Sequence, residues 1–263
     1  MICQAPPPQS VAIVGLGRSQ ATYASLVASH GSRHKVAQET WVINAAAQIY
    51  QHDRVFFMDD MKHMDPDAPD CAPQWRTLLE WLKTHDKPVY TPAAYRDLCP
   101  MAVEYPILDV VKKLGFNYFN TTVAFALCYA LYLGVKRVCL YGCDFTYPDN
   151  HAAEAGRGCV EFWLGFGAAR GLDIAVPNDT TLLDAFVSPE NKLYGYADIV
   201  TFKQVGNDLV MDRKPRTAKT GVMRPGHDTL KATEVSAPCS SSASPSASPP
   251  APAALPPATP PAP

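Results

Sequence analysis

No Cys-x-x-Cys pair and no histidine cluster at zinc-ligand spacing occurs in the 263-residue chain, which argues against structural zinc modules and dithiol redox motifs. The eight cysteines are scattered, at Cys3, Cys71, Cys99, Cys128, Cys139, Cys143, Cys159 and Cys239, and most are expected as buried, reduced core residues. No apolar run approaches the ~18 residues of a membrane span. The first residues, Met1-Ile2-Cys3-Gln4-Ala5-Pro6-Pro7-Pro8, carry no basic region followed by an apolar run, and a cytoplasmic location is expected. Charge of either sign is in short supply too: 23 Lys and Arg against 25 Asp and Glu leave a net charge of -2. No global field then draws the chain to nucleic acid or to a membrane surface, and any contact with DNA or RNA has to be local. Internal repeats are absent.

Proline is abundant and unevenly placed. Of 25 prolines, ten fall within residues 235–263, where no charged residue occurs, and this segment is expected as a disordered Pro/Ala/Ser tail. Residues 206–234 gather Lys, Arg, Gly and Pro without periodicity and read as a basic extended arm, and residues 1–9 as a flexible N-terminus. The hydrophobic fraction is 47%, enough for one sizeable core, placed in a single domain over residues 10–205.

Within that domain, short β-branched runs alternate with helix-compatible stretches. Strands are expected over residues 10–15, Glu39 to Asn44, Arg54 to Asp60, Lys87 to Thr91, Arg137 to Phe145 and Asp173 to Pro177. Helices are expected over Gln20 to His30, Ala45 to His52, Gln74 to His85 (with Trp75, Leu78, Leu79 and Leu82 on one face), Val123 to Leu133 closed by Gly134, and Val160 to Arg170 closed by Gly171. Residues 92–116 read as loop and helix covering the sheet. This alternation predicts an α/β fold with a doubly wound, mostly parallel, Rossmann-like sheet.

In such sheets ligands bind beyond the carboxyl ends of the strands, so the residues there are the candidates. Gly15, Gly17, Arg18 and Ser19 follow the first strand in a turn that lets a ligand approach the backbone, and the next helix start favours a phosphate or carboxylate. The turn is not a full dinucleotide fingerprint, and the second strand ends in Asn44, where a dinucleotide enzyme usually presents an acid to the ribose; this counts against NAD. Asn44 suits a ribose hydroxyl or base edge. Asp59 and Asp60 either hold a divalent cation such as Mg2+ on a diphosphate or only cap a turn. Asn120, Thr121 and Thr122 place three small polar side chains at a helix start, where a phosphate fits. Asp144 orients a ligand or braces its turn. Tyr147 offers a ring to stack on a base, His151 is the best-placed histidine for proton transfer, and Arg157 offers a charge to a donor phosphate, followed by Glu161 at a helix start.

Three motifs in this order, strand-Gly-Leu-Gly-Arg-Ser, the strand closing on Asn44, and Asn-Thr-Thr-(helix)-Leu-Gly-Val-Lys-Arg-Val-Cys-Leu-Tyr-Gly-Cys-Asp-Phe, resemble a group of families. It spans bacterial CMP-sugar-dependent sialyltransferases, motility-associated glycosyltransferases and archaeal 6-hydroxymethylpterin diphosphokinases, with the greatest likeness to uncharacterised proteins of tailed bacteriophages, over residues 10–185. The resemblance to the sialyltransferases implies cytidine-nucleotide contacts from Gly15, Gly17, Ser19, Asn44, Thr121 and Thr122. Arg18 replaces the proline of the family's usual turn, and Asp59 stands where those enzymes carry an asparagine. Their catalytic histidine lies in a lid after the Gly-x-Asp-Phe strand, and His151 is the only histidine near that place here.

The expected function is therefore nucleotide-sugar-dependent glycosyl transfer, with His151 or an acid as base and Arg157 or a cation on the leaving phosphate. The phage likeness extends this to a modified base of viral DNA as acceptor, in the host cytoplasm, with the arm residues Arg213, Lys214, Arg216, Lys219 and Arg224 on the nucleic acid backbone. Two other classes stay open: metal-dependent diphosphate transfer of the pterin-kinase type through Asp59 and Asp60, and a non-catalytic nucleotide-binding or virion-associated protein tethered by its proline tail. A homo-oligomer is compatible with each.

Overall fold

The computed structural model describes residues 6–61, 73–146, 148–187, 193 and 198–215. Seven strands form one sheet: β1 (Ser10–Val14), β2 (Glu39–Ile43), β3 (Arg54–Phe56), β4 (Val89–Thr91), β5 (Ala102–Glu104), β6 (Arg137–Tyr141) and β7 (Asp173–Ala175). Their order is β5-β4-β3-β2-β1-β6-β7, and every adjacent pair is parallel. The chain thus builds outward from β1 to β5, then returns to the other side of β1 for β6 and β7. The carboxyl ends of β1 and β6 flank the point where the winding reverses, the place where doubly wound sheets open a crevice.

Alternation along each strand sorts side chains into two cores, one per face. Val11 and Ile13 of β1 join Trp41, Ile43 and Phe56 in the core beneath α3 (Ile107–Leu114), α4 (Thr122–Leu133) and α5 (Asn150–Ala168). Ala12 and Val14 join Val42, Val55 and Phe57 in the core beneath α1 (Gln20–His30) and α2 (Pro73–Leu82). As the amphipathic pattern predicts, Leu78, Leu79 and Leu82 are the buried face of α2, each stabilising by about 1.5–3 kcal/mol through the area it removes from water. α4 is apolar almost all round because it lies between β1–β3, α3 and α5, and Gly134 caps it in the left-handed conformation. The five described cysteines, Cys99, Cys128, Cys139, Cys143 and Cys159, are free and buried, and burial pushes the thiols of Cys99, Cys128, Cys143 and Cys159 up.

Several boundaries differ from the sequence reading. In place of the helix expected over residues 45–52 there is only a short 3-10 turn, Asn44–Gln48, entered through Asn44 at φ 48. β5 and α3 occupy residues read as covering loop and helix, so the sheet has one more edge strand than expected. α5 begins at Asn150, ten residues before Val160, and Asp149 caps it by accepting from the His151 and Ala152 amides. It ends at Ala168, so Gly171, at φ 83, closes the turn after the helix and is not its cap. The boundary drawn at residue 205 cuts a hairpin: β8 (Asp198–Val205) pairs antiparallel with β9 (Asp208–Pro215), which takes in Arg213 and Lys214 of the expected arm. Arg216, Lys219, Arg224 and the proline-rich tail lie outside the described residues, as does most of the acidic loop before α2. Among the described residues no helix is long and apolar enough to cross a membrane.

Candidate functional site

A cleft of about 380 Å³ opens at the carboxyl ends of β1, β2 and β6. Its floor is made by two turns in contact, Gly15-Leu16-Gly17 after β1 and Gly142-Cys143-Asp144 after β6. The Gly15 amide donates to the Tyr141 carbonyl at 2.8 Å and the Gly17 amide to the Gly142 carbonyl at 2.7 Å. A Cβ on Gly15 would stand 2.5 Å from the Gly142 oxygen, and one on Gly142, itself at φ 65, would stand 2.3 Å from the Gly15 oxygen. Backbone meets backbone here, so the glycines serve this close approach, and the Gly17 amide is spent on it.

The two turns are riveted by one buried pair. The Asp144 carboxylate accepts the Ser19 amide and the Ser19 hydroxyl, each at 2.6 Å, and the Ser19 hydroxyl accepts the Gly142 amide at 2.8 Å. Ser19 is 0% exposed and Asp144 2%. Ser19 stands at the start of α1 but makes no side-chain capping bond there, because its hydroxyl serves Asp144. Ser19, read from the sequence as a nucleotide contact, is therefore buried beneath the cleft floor with its hydroxyl engaged, and Asp144, which lines the cleft, braces both turns.

Asn44 lines the cleft in a left-handed conformation that Asn tolerates. Its amide donates to Asp59 at 3.0 Å, which fixes the side chain so that Oδ1 is the other arm; that oxygen is buried and receives no hydrogen bond. A buried acceptor without a donor costs about 1–3 kcal/mol, which a ligand donor would recover. Asp59 therefore stands behind Asn44 as its orienting partner, and burial, set against the Asn44 bond, pushes its carboxyl above the usual value. Asp60 accepts from the Tyr95 hydroxyl at 2.8 Å, so the two acids address different neighbours. No cluster of three or more metal-ligating side chains occurs among the described residues.

At the opposite wall Val123 brings in the first turn of α4. Thr121 is the residue before that helix, and its side chain makes no capping bond. Asn120 departs from the expected trio, since its amide donates to the Ala155 carbonyl at 2.9 Å. Arg18 is exposed beside the glycine turn. His151 is exposed in the first turn of α5, five residues beyond Thr146 on the cleft rim. Arg157 is committed elsewhere, to Glu161 and Asp184 at 2.8 Å each, while Glu161 also accepts the Leu183 amide at 2.7 Å. Burial works against its charge, but those carboxylates more than offset it and hold its pKa above the usual value. It clamps the 182–184 turn to α5. Tyr147 lies outside the described residues.

Sequence reasoning missed Trp75, which comes from the first turn of α2 and lines the cleft with its ring edge-on to Phe57 at 5.9 Å. The amphipathic pattern assigned it to the core; its place at the outer end of that stripe was the available signal. Phe145, at φ 50, was missed as well, and its ring is seated on Gly156.

No family model and no curated protein matches the chain. Among solved structures it is similar to the sialyltransferase CstII from Campylobacter jejuni in complex with cytidine-5'-monophosphate, at 15% identity over 68% of this chain and 84% of that one, with a TM-score of 0.42. A mutant of the α2,3/8-sialyltransferase CstII gives 15% identity, 67% and 84% coverage and a TM-score of 0.44. The complex of the same enzyme with trisaccharide acceptor and CMP gives 13%, 66%, 84% and 0.40.

Proposed function

We propose that the cleft binds a nucleotide sugar and that the protein transfers its sugar to an acceptor hydroxyl. The unsatisfied Asn44 Oδ1 carries this reading, because it is a buried acceptor held by Asp59 in one orientation at the end of β2, beside the topological switch point. It asks for a ligand N–H or O–H, such as a base amino group or a ribose hydroxyl. The Trp75 and Phe145 rings supply apolar walls for a base, and the start of α4, which reaches the cleft at Val123 with Thr121 and Thr122 just before it, is the part of the wall we assign to the phosphate. In the transfer, the acceptor oxygen bonds the anomeric carbon while the bond from that carbon to the phosphate oxygen breaks. His151, exposed in the first turn of α5, takes the acceptor proton in this reading.

Titration of the purified chain with CMP, UDP and ATP, with and without magnesium, tests this by thermal shift and by nucleotide released from the matching nucleotide sugars. Stabilisation by CMP or UDP without metal is expected, and Asn44→Gly, which suits the left-handed backbone, should weaken it about tenfold, the equivalent of ~1.4 kcal/mol. A response confined to magnesium and ATP overturns the proposal. His151→Ala should lower turnover with nucleotide affinity unchanged; full turnover removes His151 from the mechanism.

A further inference from the structure

The β8–β9 hairpin is a separate two-stranded sheet, and among the described residues neither strand pairs with another. A two-stranded hairpin is marginal in water unless an apolar face is covered. This one exposes Phe202, Val205, Leu209, Val210 and Met211, from 42% at Met211 to 68% at Leu209. What fits it can be read from its own outer edge.

The strands are joined by the two-residue turn Gly206-Asn207, with Val205 opposite Asp208. In such a hairpin the pair flanking the turn exchanges backbone hydrogen bonds, and pairs alternate from there. Asp208, Val210, Asp212 and Lys214 therefore turn their backbone groups toward β8. Leu209, Met211 and Arg213 turn theirs outward, and the outward series ends at Pro215, which has no N–H.

We infer that β9 is the seam of a symmetric dimer, two copies of this chain pairing their β9 strands antiparallel about a two-fold axis at Met211. In that register Met211 exchanges backbone hydrogen bonds with its own copy, and Leu209 does so with Arg213 of the other chain; these are the residues with outward backbone groups. Asp208 then faces Lys214 across the seam, twice by symmetry, in the closer, non-hydrogen-bonded type of pair. Shifting the two-fold axis to Val210 sets Asp208 against Asp212, and shifting it to Asp212 sets that residue against itself. On the other edge, β8 has only Asp198 and Lys203 as charges, and its symmetric pairing about Phe202 sets Lys203 against Thr201, with no ion pair. The Met211 register also completes an apolar row. Phe202 is the in-hairpin partner of Met211, so one face of the four-stranded sheet carries Phe202, Met211, Met211 and Phe202 in line. Lys203 meanwhile neutralises Asp212 at 3.3 Å within each hairpin.

A single strand pair is at the small end of protein interfaces, so the dimer should dissociate on dilution. Sedimentation velocity on the full chain across a concentration series should show the mass climbing toward two chains. Asp208→Lys and Lys214→Asp should each hold it near one chain, since each sets like charges opposite. The double variant D208K/K214D should regain the dimer, which a misfolded hairpin would not do. Within the hairpin Asp208 faces Val205 and Lys214 faces Ile199, so neither change removes an internal ion pair. With Cys3, Cys71 and Cys239 replaced by serine, Met211→Cys should give a disulfide-linked dimer on oxidation, because hydrogen-bonded strand partners are about 5.5 Å apart. Leu209→Cys should not, its copy lying about 13 Å along the seam. A mass of one chain at every concentration, or a dimer indifferent to both charge reversals, overturns the inference.

Discussion

Replacing Ser19 by alanine should cost far more than the loss of a single small hydroxyl from a helix start. The hydroxyl bonds the Asp144 carboxylate at 2.6 Å and accepts the Gly142 amide at 2.8 Å, and both partners are buried. A hydrogen bond to a charged group contributes about 1.5–3 kcal/mol, and the stranded Gly142 amide adds about 1 kcal/mol. The expected loss is therefore about 2–4 kcal/mol, or about 4–16 °C in melting temperature for a domain of this size. Urea unfolding monitored by tryptophan fluorescence measures it, with the midpoint falling and the slope unchanged. Asp144→Asn made in the Ser19→Ala background should cost at least 1 kcal/mol less than in the wild type, because the two side chains act as one unit. A Ser19→Ala loss below about 0.5 kcal/mol, the scale of an ordinary surface change, would refute the rivet.

Three further outcomes follow from the geometry. Gly156→Ala should destabilise by about 1–3 kcal/mol and weaken nucleotide binding, since its Cβ would meet the Phe145 ring at 2.6 Å and push that ring toward the cleft; melting and ligand titration read both effects. The Asp59 carboxyl is raised by burial, so its contribution to stability is fully present below the ordinary carboxylate pKa and is lost as pH rises through the raised value. Asp59→Asn should flatten that segment of the stability-pH curve, and an identical curve would refute the assignment. Arg157→Ala should loosen the 182–184 turn, seen as faster limited proteolysis there, while changing turnover by less than about threefold; a loss of the 10²-fold order usual for a transition-state contact would return Arg157 to the phosphate.

The central strands were legible because β1, β2 and β6 are apolar runs bounded by polar strand ends, and those ends named Gly15, Gly17, Asn44 and Asp144 of the cleft. β5 was not, because Ala102-Val103-Glu104 is a three-residue edge strand with two exposed side chains and no periodicity to detect. The first half of α5 was hidden for a different reason: Gly156 and Gly158 lower helix propensity where tertiary packing on Phe145 requires one of them. Within the site, sequence spacing supplied residue types but not partners. Ser19 and Asp144 are 125 residues apart, and nothing local to either distinguishes a ligand contact from a rivet. Arg157 likewise looked available until Asp184, 27 residues on, was seen to hold it.

Because β1 lies beside β6, the cleft is a high-contact-order element within a fold of otherwise sequential neighbours. During synthesis β1 to β5 can pair in turn as they emerge, yet the floor of the site does not exist until Asp144 has left the ribosome and closed a loop of more than a hundred residues onto Ser19. The cleft is thus a late event in the life of the chain, and under the proposed function a nucleotide present at that moment would act as a template that draws the last strands home.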